Sequence, residues 1–185
     1  LEKFLKDHTK EIIEGDFERI NEDYLSLKRG ELQNLAVSLG ADVPFFVYGQ
    51  SAFAEGIGEQ IVPLKIPDGW YLVVHPNCFV STQTVFDDPE LTRNSKPIKI
   101  ADFSLHEGQN DLQEAVCRLY PEVLSALEWL GQFGTAAMSG SGSSVFCSFT
   151  TLERAKAAQA QIPPRWFGFV ARGMDRHPLV DWTDD

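Results

Sequence analysis

Three short segments combine residue types that can do chemistry. The first is Leu39-Gly40-Ala41-Asp42-Val43-Pro44. Gly40 permits a backbone reversal, and Asp42 stands just ahead of Pro44, where a helix is expected to begin. Free amides and the helix dipole favour an acid at that position. The spacing alone predicts a plain N-cap aspartate. Held rigidly against a cleft, the same carboxylate could orient or deprotonate a substrate hydroxyl. The second segment is Met138-Ser139-Gly140-Ser141-Gly142-Ser143-Ser144. Successive small residues let backbone N–H groups converge on an anion; a simple hairpin turn accounts for the same letters. The third is Ser81-Thr82-Gln83-Thr84-Val85-Phe86. Hydroxyls beside an aromatic could grip a polar ring by stacking and hydrogen bonds, and an ordinary edge strand has the same pattern.

Other chemistries are disfavoured. Gly140-Ser141-Gly142 is not a dinucleotide fingerprint, because Val145 stands where the third glycine belongs and the flanks read strand to strand. No GxxxxGK[ST] phosphate loop occurs. His75 ends a strand and reads as structural, while His8, His106 and His177 form no triad or ligand pattern. Cys78, Cys117 and Cys147 are scattered and odd in number, which disfavours a disulfide framework and a structural zinc site. They read as three buried thiols in a reducing cytoplasm. The 185 residues are 43% hydrophobic and 23% charged, enough for a packed core. Asp+Glu 27 against Lys+Arg 16 gives a net charge of −11, the opposite of a nucleic-acid or anionic-membrane binder. An anionic ligand would therefore need a local site of backbone N–H groups. No apolar run is long enough for a bilayer span, and Leu1 to Lys10 lacks a signal-peptide stretch.

The elements that must hold these segments can be read from periodicity. Ile13, Phe17, Ile20, Tyr24 and Leu27 share one helical face, with Gly30 as its expected end. A second short helix carries Leu32, Leu35 and Leu39 and stops at Gly40. Residues 51–55 and 60–66 read as strands joined at Gly56-Ile57-Gly58. Pro67-Asp68-Gly69 is the expected domain boundary. Beyond it lie a strand at 70–75, a loop-rich stretch at 76–109, and a helix opened by Asn110 with Gln113 completing a capping box. Next come a helix from Pro121, strands at 133–138 and 144–149, a helix capped by a Thr150/Glu153 box and a strand at 166–171. The tail from Arg172 is expected to be loose. From residue 70 the order β-α-α-β-β-α-β predicts an α+β, split-βαβ domain of ferredoxin-like type.

Five stretches carry a family resemblance: LGADVPFFVYGQSAFAEGIGE from Leu39, WYLVVHP from Trp70, FDDPELTRN from Phe86, ND at Asn110–Asp111, and MSGSGSSVF from Met138. Their order and spacing resemble the GHMP kinase superfamily, in the branch that phosphorylates a cytidine-diphosphate-linked methylerythritol at its 2-hydroxyl for isoprenoid synthesis. The resemblance implies ATP and Mg as cofactors and a cytidine-diphosphate-linked small molecule as partner. It implies a catalytic role for Asp42, substrate contacts by Thr82 and Phe86, and a phosphate-site loop at Ser139, Gly140, Ser141, Gly142 and Ser143. It leaves a homo-oligomer open and implies no nucleic-acid or membrane partner.

The expected organisation is an atypical helical leader at 1–30, a remnant of the family's N-terminal domain at 31–68, and its C-terminal domain at 69–185. Residues 1–29 match neither the family's lysine strand nor its long glycine-serine ATP loop, so ATP binding by the chain alone is expected to be weak. A non-catalytic binding or assembly module, or a GHMP kinase for another small alcohol, are the alternatives.

Overall fold

The computed structural model describes residues 29–56, 58, 60–66, 69–95 and 110–177. The helix expected around Ile13 to Leu27 lies outside them. The chain divides into two units, Leu1–Ile66 with Met174–Asp185, and Pro67–Gly173.

In the first unit, helices α1 (Arg29–Val37) and α2 (Val43–Tyr48) precede a hairpin of β1 (Ala52–Glu55) and β2 (Gln60–Pro63). Ala52 faces Pro63 and Glu55 faces Gln60 in antiparallel register. Gly30 does not end a helix. It lies within α1. Of the predicted stripe in this helix and the turn after it, Leu35 and Leu39 are exposed, and Ala36 is the buried residue. The tail expected to be loose from Arg172 is paired as far as residue 177. Ser51 N–H donates to Asp175 O (2.9 Å) and His177 N–H to Gly49 O (2.8 Å), with a bridge between Gln50 and Arg176. The backbone groups after α2 find partners there instead of remaining open.

The second unit runs β3 (Trp70–His75), α3 (Thr82–Phe86), α4 (Asp111–Leu119), α5 (Pro121–Leu130), β4 (Ala136–Met138), β5 (Val145–Phe149), α6 (Leu152–Gln159) and β6 (Phe167–Arg172). Its sheet has the order β4-β5-β3-β6, antiparallel throughout. Counted within the unit, that is second, third, first, fourth strand: the split-βαβ arrangement predicted from the element order. Alternation decides the core. Leu72 and Val74 on β3, and Val145, Cys147 and Phe149 on β5, are buried. They pack in one cluster with Val116 of α4, Val123, Ala126 and Leu130 of α5, and Ala155 and Ala158 of α6. Burying a valine or leucine side chain of this kind stabilises the fold by about 1.5–3 kcal/mol.

Three local expectations are corrected. The stretch 76–109, read as loop, contains α3, and the hydroxyl-rich segment within it is helix and not an edge strand. Ser81 Oγ accepts from Thr84 N–H (3.3 Å) as its N-cap, and Val85 is buried, so a cap and one apolar anchor outweigh the strand propensity of two threonines and a valine. The cap of α6 is Thr151, whose Oγ1 accepts from Arg154 N–H (3.4 Å), one residue later than the expected box at Thr150 and Glu153. Strand β4 spans three residues, shorter than the predicted 133–138.

Candidate functional site

The turn between β4 and β5 is set first by its own backbone. Ser139 N–H donates to Ser144 O (3.0 Å) and Gly142 N–H to Ser139 O (2.9 Å). Gly140 (φ +54°) and Gly142 (φ +84°) occupy the left-handed region, and the Gly142–Ser143 peptide is cis. A Cβ at Gly142 would lie 3.0 Å from Met138 Sδ, whereas one at Gly140 would meet nothing within 4 Å. Gly142 is thus required by packing as well as by φ, and Gly140 by φ alone. The N–H groups of Gly140 and Ser141 have no hydrogen-bond partner among the described residues.

Side chains from two elements fasten this loop. Asn110 caps α4, with Oδ1 accepting from Leu112 N–H (3.0 Å), and its Nδ2 donates to Met138 O (3.1 Å) and Gly140 O (2.8 Å). Gln113 Oε1 accepts from Met138 N–H (2.9 Å). The expected capping box is therefore half realised: Asn110 caps, while Gln113 satisfies an amide on the edge strand β4. On the other side, Asn77 N–H donates to His75 Nδ1 (3.0 Å), and His75 Nε2 lies 3.0 Å from Ser143 Oγ. Ser143, itself buried, donates to Cys78 O (2.8 Å). These bonds are mutually consistent for a neutral imidazole with its proton on Nε2. His75 thus ties the end of β3 to the loop through Ser143.

Helix α3 meets the same loop. Thr82 Oγ1 lies 2.9 Å from Ser141 Oγ, and Ser81 N–H donates to the Tyr120 hydroxyl (3.1 Å). Phe86, 53% exposed, ends the helix one turn on. A polar brace fixes the segment after the helix. Asp88, 7% exposed, accepts from Glu90 N–H at Oδ1 (2.8 Å) and pairs with Arg118 Nη2 at Oδ2 (2.9 Å). Arg118 Nε also lies 3.3 Å from Glu90 Oε2. Arg93 donates to the carbonyls of Phe86, Asp88 and Leu91, the first of which is an open carbonyl at the end of α3. The Glu90 amide, and then the Arg118 guanidinium, hold the Asp88 carboxyl below the usual range. Of the three thiols expected to be buried, Cys147 is buried, while Cys78 and Cys117 are half-buried; desolvation still pushes all three up, so they are poor nucleophiles.

Asp42 belongs to the first unit. It occupies the N-cap position of α2, with Pro44 in the first turn, but its backbone is αR (φ −85°, ψ −15°) and its side chain makes no cap hydrogen bond. The plain N-cap reading thus fails for the side chain, and the carboxylate is exposed. Among the predicted residues, Thr82, Phe86 and Ser139 to Ser143 all lie in the second unit, with Thr82 bonded directly to the loop. The bonds of Asn110 and Gln113 to the loop, and the Asp88–Arg118 pair, were not anticipated. Their partners lie 25 to 30 residues away in sequence, beyond any local pattern. Among the described residues, no group of three or more His, Cys, Asp or Glu could hold a metal ion, and no helix is long and apolar enough to cross a membrane.

A mixed α/β unit with this strand order and a serine-glycine turn beside a short hydroxyl-bearing helix defines a class. Residues 91–167 match the family described as GHMP kinases C terminal. The similarity extends to particular kinases. The chain is 51% identical over 161 residues to the 4-diphosphocytidyl-2-C-methyl-D-erythritol kinase of Thiobacillus denitrificans, covering 87% of this chain and 58% of that relative. It is 51% identical over 163 residues to the kinase of the same name from Nitrosospira multiformis, covering 86% and 55%. A solved structure titled as 4-(cytidine 5'-diphospho)-2C-methyl-D-erythritol kinase aligns with a TM-score of 0.58 and 31% identity, over 80% of this chain and 58% of that one. The chain is homologous to the C-terminal part of these kinases and spans a little over half the length of the curated relatives it matches.

Proposed function

We propose that the chain supplies the acceptor side of a phosphoryl transfer from ATP to the 2-hydroxyl of a cytidine-diphosphate-linked methylerythritol. The observation that carries this reading is the 2.9 Å contact between Thr82 and Ser141. It joins the segment suited to grip a nucleoside to the loop suited to cradle phosphate, within one folded unit, in a chain related to kinases named for that substrate.

In this reading Phe86 stacks on the cytosine, Thr82 hydrogen-bonds the substrate, and Ser139 to Ser143 face the phosphates. The free amides of Gly140 and Ser141 suit phosphate oxygens, which is the fit expected of a nucleotide site. ATP supplies the phosphoryl group. Asp42, exposed and uncommitted to a cap, is a carboxylate of the kind that can take up the proton of a hydroxyl. Phosphoryl transfer depends on such positioning and charge stabilisation more than on covalent chemistry. Magnesium in such sites is held largely by nucleotide phosphates and one or two carboxylates, so no protein cage of several acids is needed. The small-molecule substrate, the free thiols and the acidic charge suit a cytoplasmic reaction without nucleic acid or membrane.

Titration with cytidine diphosphate, followed by calorimetry, tests the proposal. Saturable binding is expected, weakened in Phe86→Ala by about 5- to 150-fold, the range that 1–3 kcal/mol of base–aromatic stacking implies. Phe86 is half exposed, so its truncation leaves the core intact. Absence of saturable binding by the unmodified chain overturns the reading.

A further inference from the structure

We infer that Asn110 is a positioning residue that keeps the Ser141 N–H available to an anion by pinning the peptide plane it belongs to. This rests on reading the serine-glycine loop as a phosphate cradle. In a trans peptide the C=O and the following N–H point in opposite directions. The Gly140–Ser141 peptide is trans, since Gly142–Ser143 is the cis bond among the described residues. Asn110 Nδ2 holds Gly140 O at 2.8 Å, so the Ser141 N–H is turned away from Asn110, and it has no partner among the described residues. Gly140 has open space around it and no Cβ, so its side of that plane rotates freely, and local resistance to a flip comes only from the φ of Ser141, now not positive, which the flip would turn positive. A flip would carry the Ser141 N–H towards Asn110 and put a carbonyl in its place, converting a donor site into an acceptor that repels phosphate. The tether to Gly140 O adds directly to that resistance, and the second Nδ2 bond to Met138 O and the Gln113 bond to Met138 N–H anchor the near end of the same loop.

Every polar atom of the Asn110 side chain is in use: Oδ1 caps α4 through Leu112 N–H, and both Nδ2 protons serve the loop. Asn110→Asp separates the two duties. A carboxylate still caps the helix, and is favoured by its dipole, but it cannot donate and instead repels the two carbonyls. Asn110→Ser keeps a capping acceptor with one donor in place of two and serves where the aspartate variant folds poorly. Backbone amide NMR of the full chain, without ligand, reads the result. The expected outcome is that the Ser141 and Gly140 resonances move or broaden while Leu112 and the rest of α4 stay in place. Inorganic pyrophosphate, titrated into the same samples, should bind roughly tenfold or more weakly, as loss of a charge-assisted hydrogen bond implies. If pyrophosphate fails to perturb the unmodified chain but the substitutions still move Ser141, the cradle reading falls and the positioning role stands. Unmoved Ser141 and Gly140 resonances in both variants overturn the positioning role.

Discussion

Replacing each of the two left-handed glycines of the loop with alanine isolates packing from backbone strain. Both substitutions place an L-residue at positive φ, +54° at Gly140 and +84° at Gly142, which costs about 1–2 kcal/mol. For Gly140→Ala that is the whole cost, because the new Cβ meets nothing within 4 Å. For Gly142→Ala the Cβ would sit 3.0 Å from Met138 Sδ and 3.5 Å from Val116 Cγ1. The Val116 distance is ordinary contact, but the buried Met138 side chain must give way by a few tenths of an ångström, and overpacking adds about 1–3 kcal/mol. The expected losses are therefore about 1–2 kcal/mol for Gly140→Ala and about 2–5 kcal/mol for Gly142→Ala. Urea denaturation monitored by circular dichroism measures both, and equal slopes for the variants make the midpoints directly comparable. Equal losses in the two variants would refute the claim that Gly142 is packed against the core.

The same geometry predicts two further outcomes. Asp42→Ala should change stability by less than about 0.5 kcal/mol, below the ~1 kcal/mol typical of losing a capping side chain, because the carboxylate caps nothing; a loss above that typical value in thermal or urea melts would restore a plain structural role. Asp88 has a folded-state carboxyl held below its ordinary value of 3.8, first by the Glu90 amide and then by Arg118. Its contribution is fully present above that value and is lost as pH falls through the lowered one. Acid titration of stability should show this decline below 3.8 and lose it in Asp88→Asn, and an unchanged acid limb in the variant would show that Asp88 plays no part in it.

Much of the second unit was legible because its signals are local. Trp70 to His75 is an apolar run bounded by Gly69 and Pro76, and β3 has those limits. Pro121 opens α5 because its ring presets φ and its missing N–H is one the helix never uses. Helix α3 was hidden by its own composition: Thr82, Thr84 and Val85 carry strand propensity, and the Ser81 cap and the burial of Val85 that outweigh it are supported by Tyr120 and Arg93 from outside the segment. The cap of α6 was misplaced by one residue because Thr150 and Thr151 are chemically identical, and it is Thr151 whose extended backbone and hydroxyl bond make the cap. At the candidate site, Thr82, Phe86 and the serine-glycine loop could be named from their letters and the family resemblance. The residues that hold them could not. Gln113 sits where a capping box predicts it, yet its amide serves a strand 25 residues on.

The strand order has a consequence for biogenesis. Strand β3 is the earliest of its sheet to leave the ribosome, yet its two neighbours are β5 and β6, the last of which ends at Arg172. Its apolar ribbon has no native backbone partner until some seventy residues more have been synthesised and no complete pairing until nearly a hundred have. Nascent chains of this unit thus pass through a long interval with an unpaired, sticky segment near their start, the situation in which chaperone capture and mispairing compete with folding.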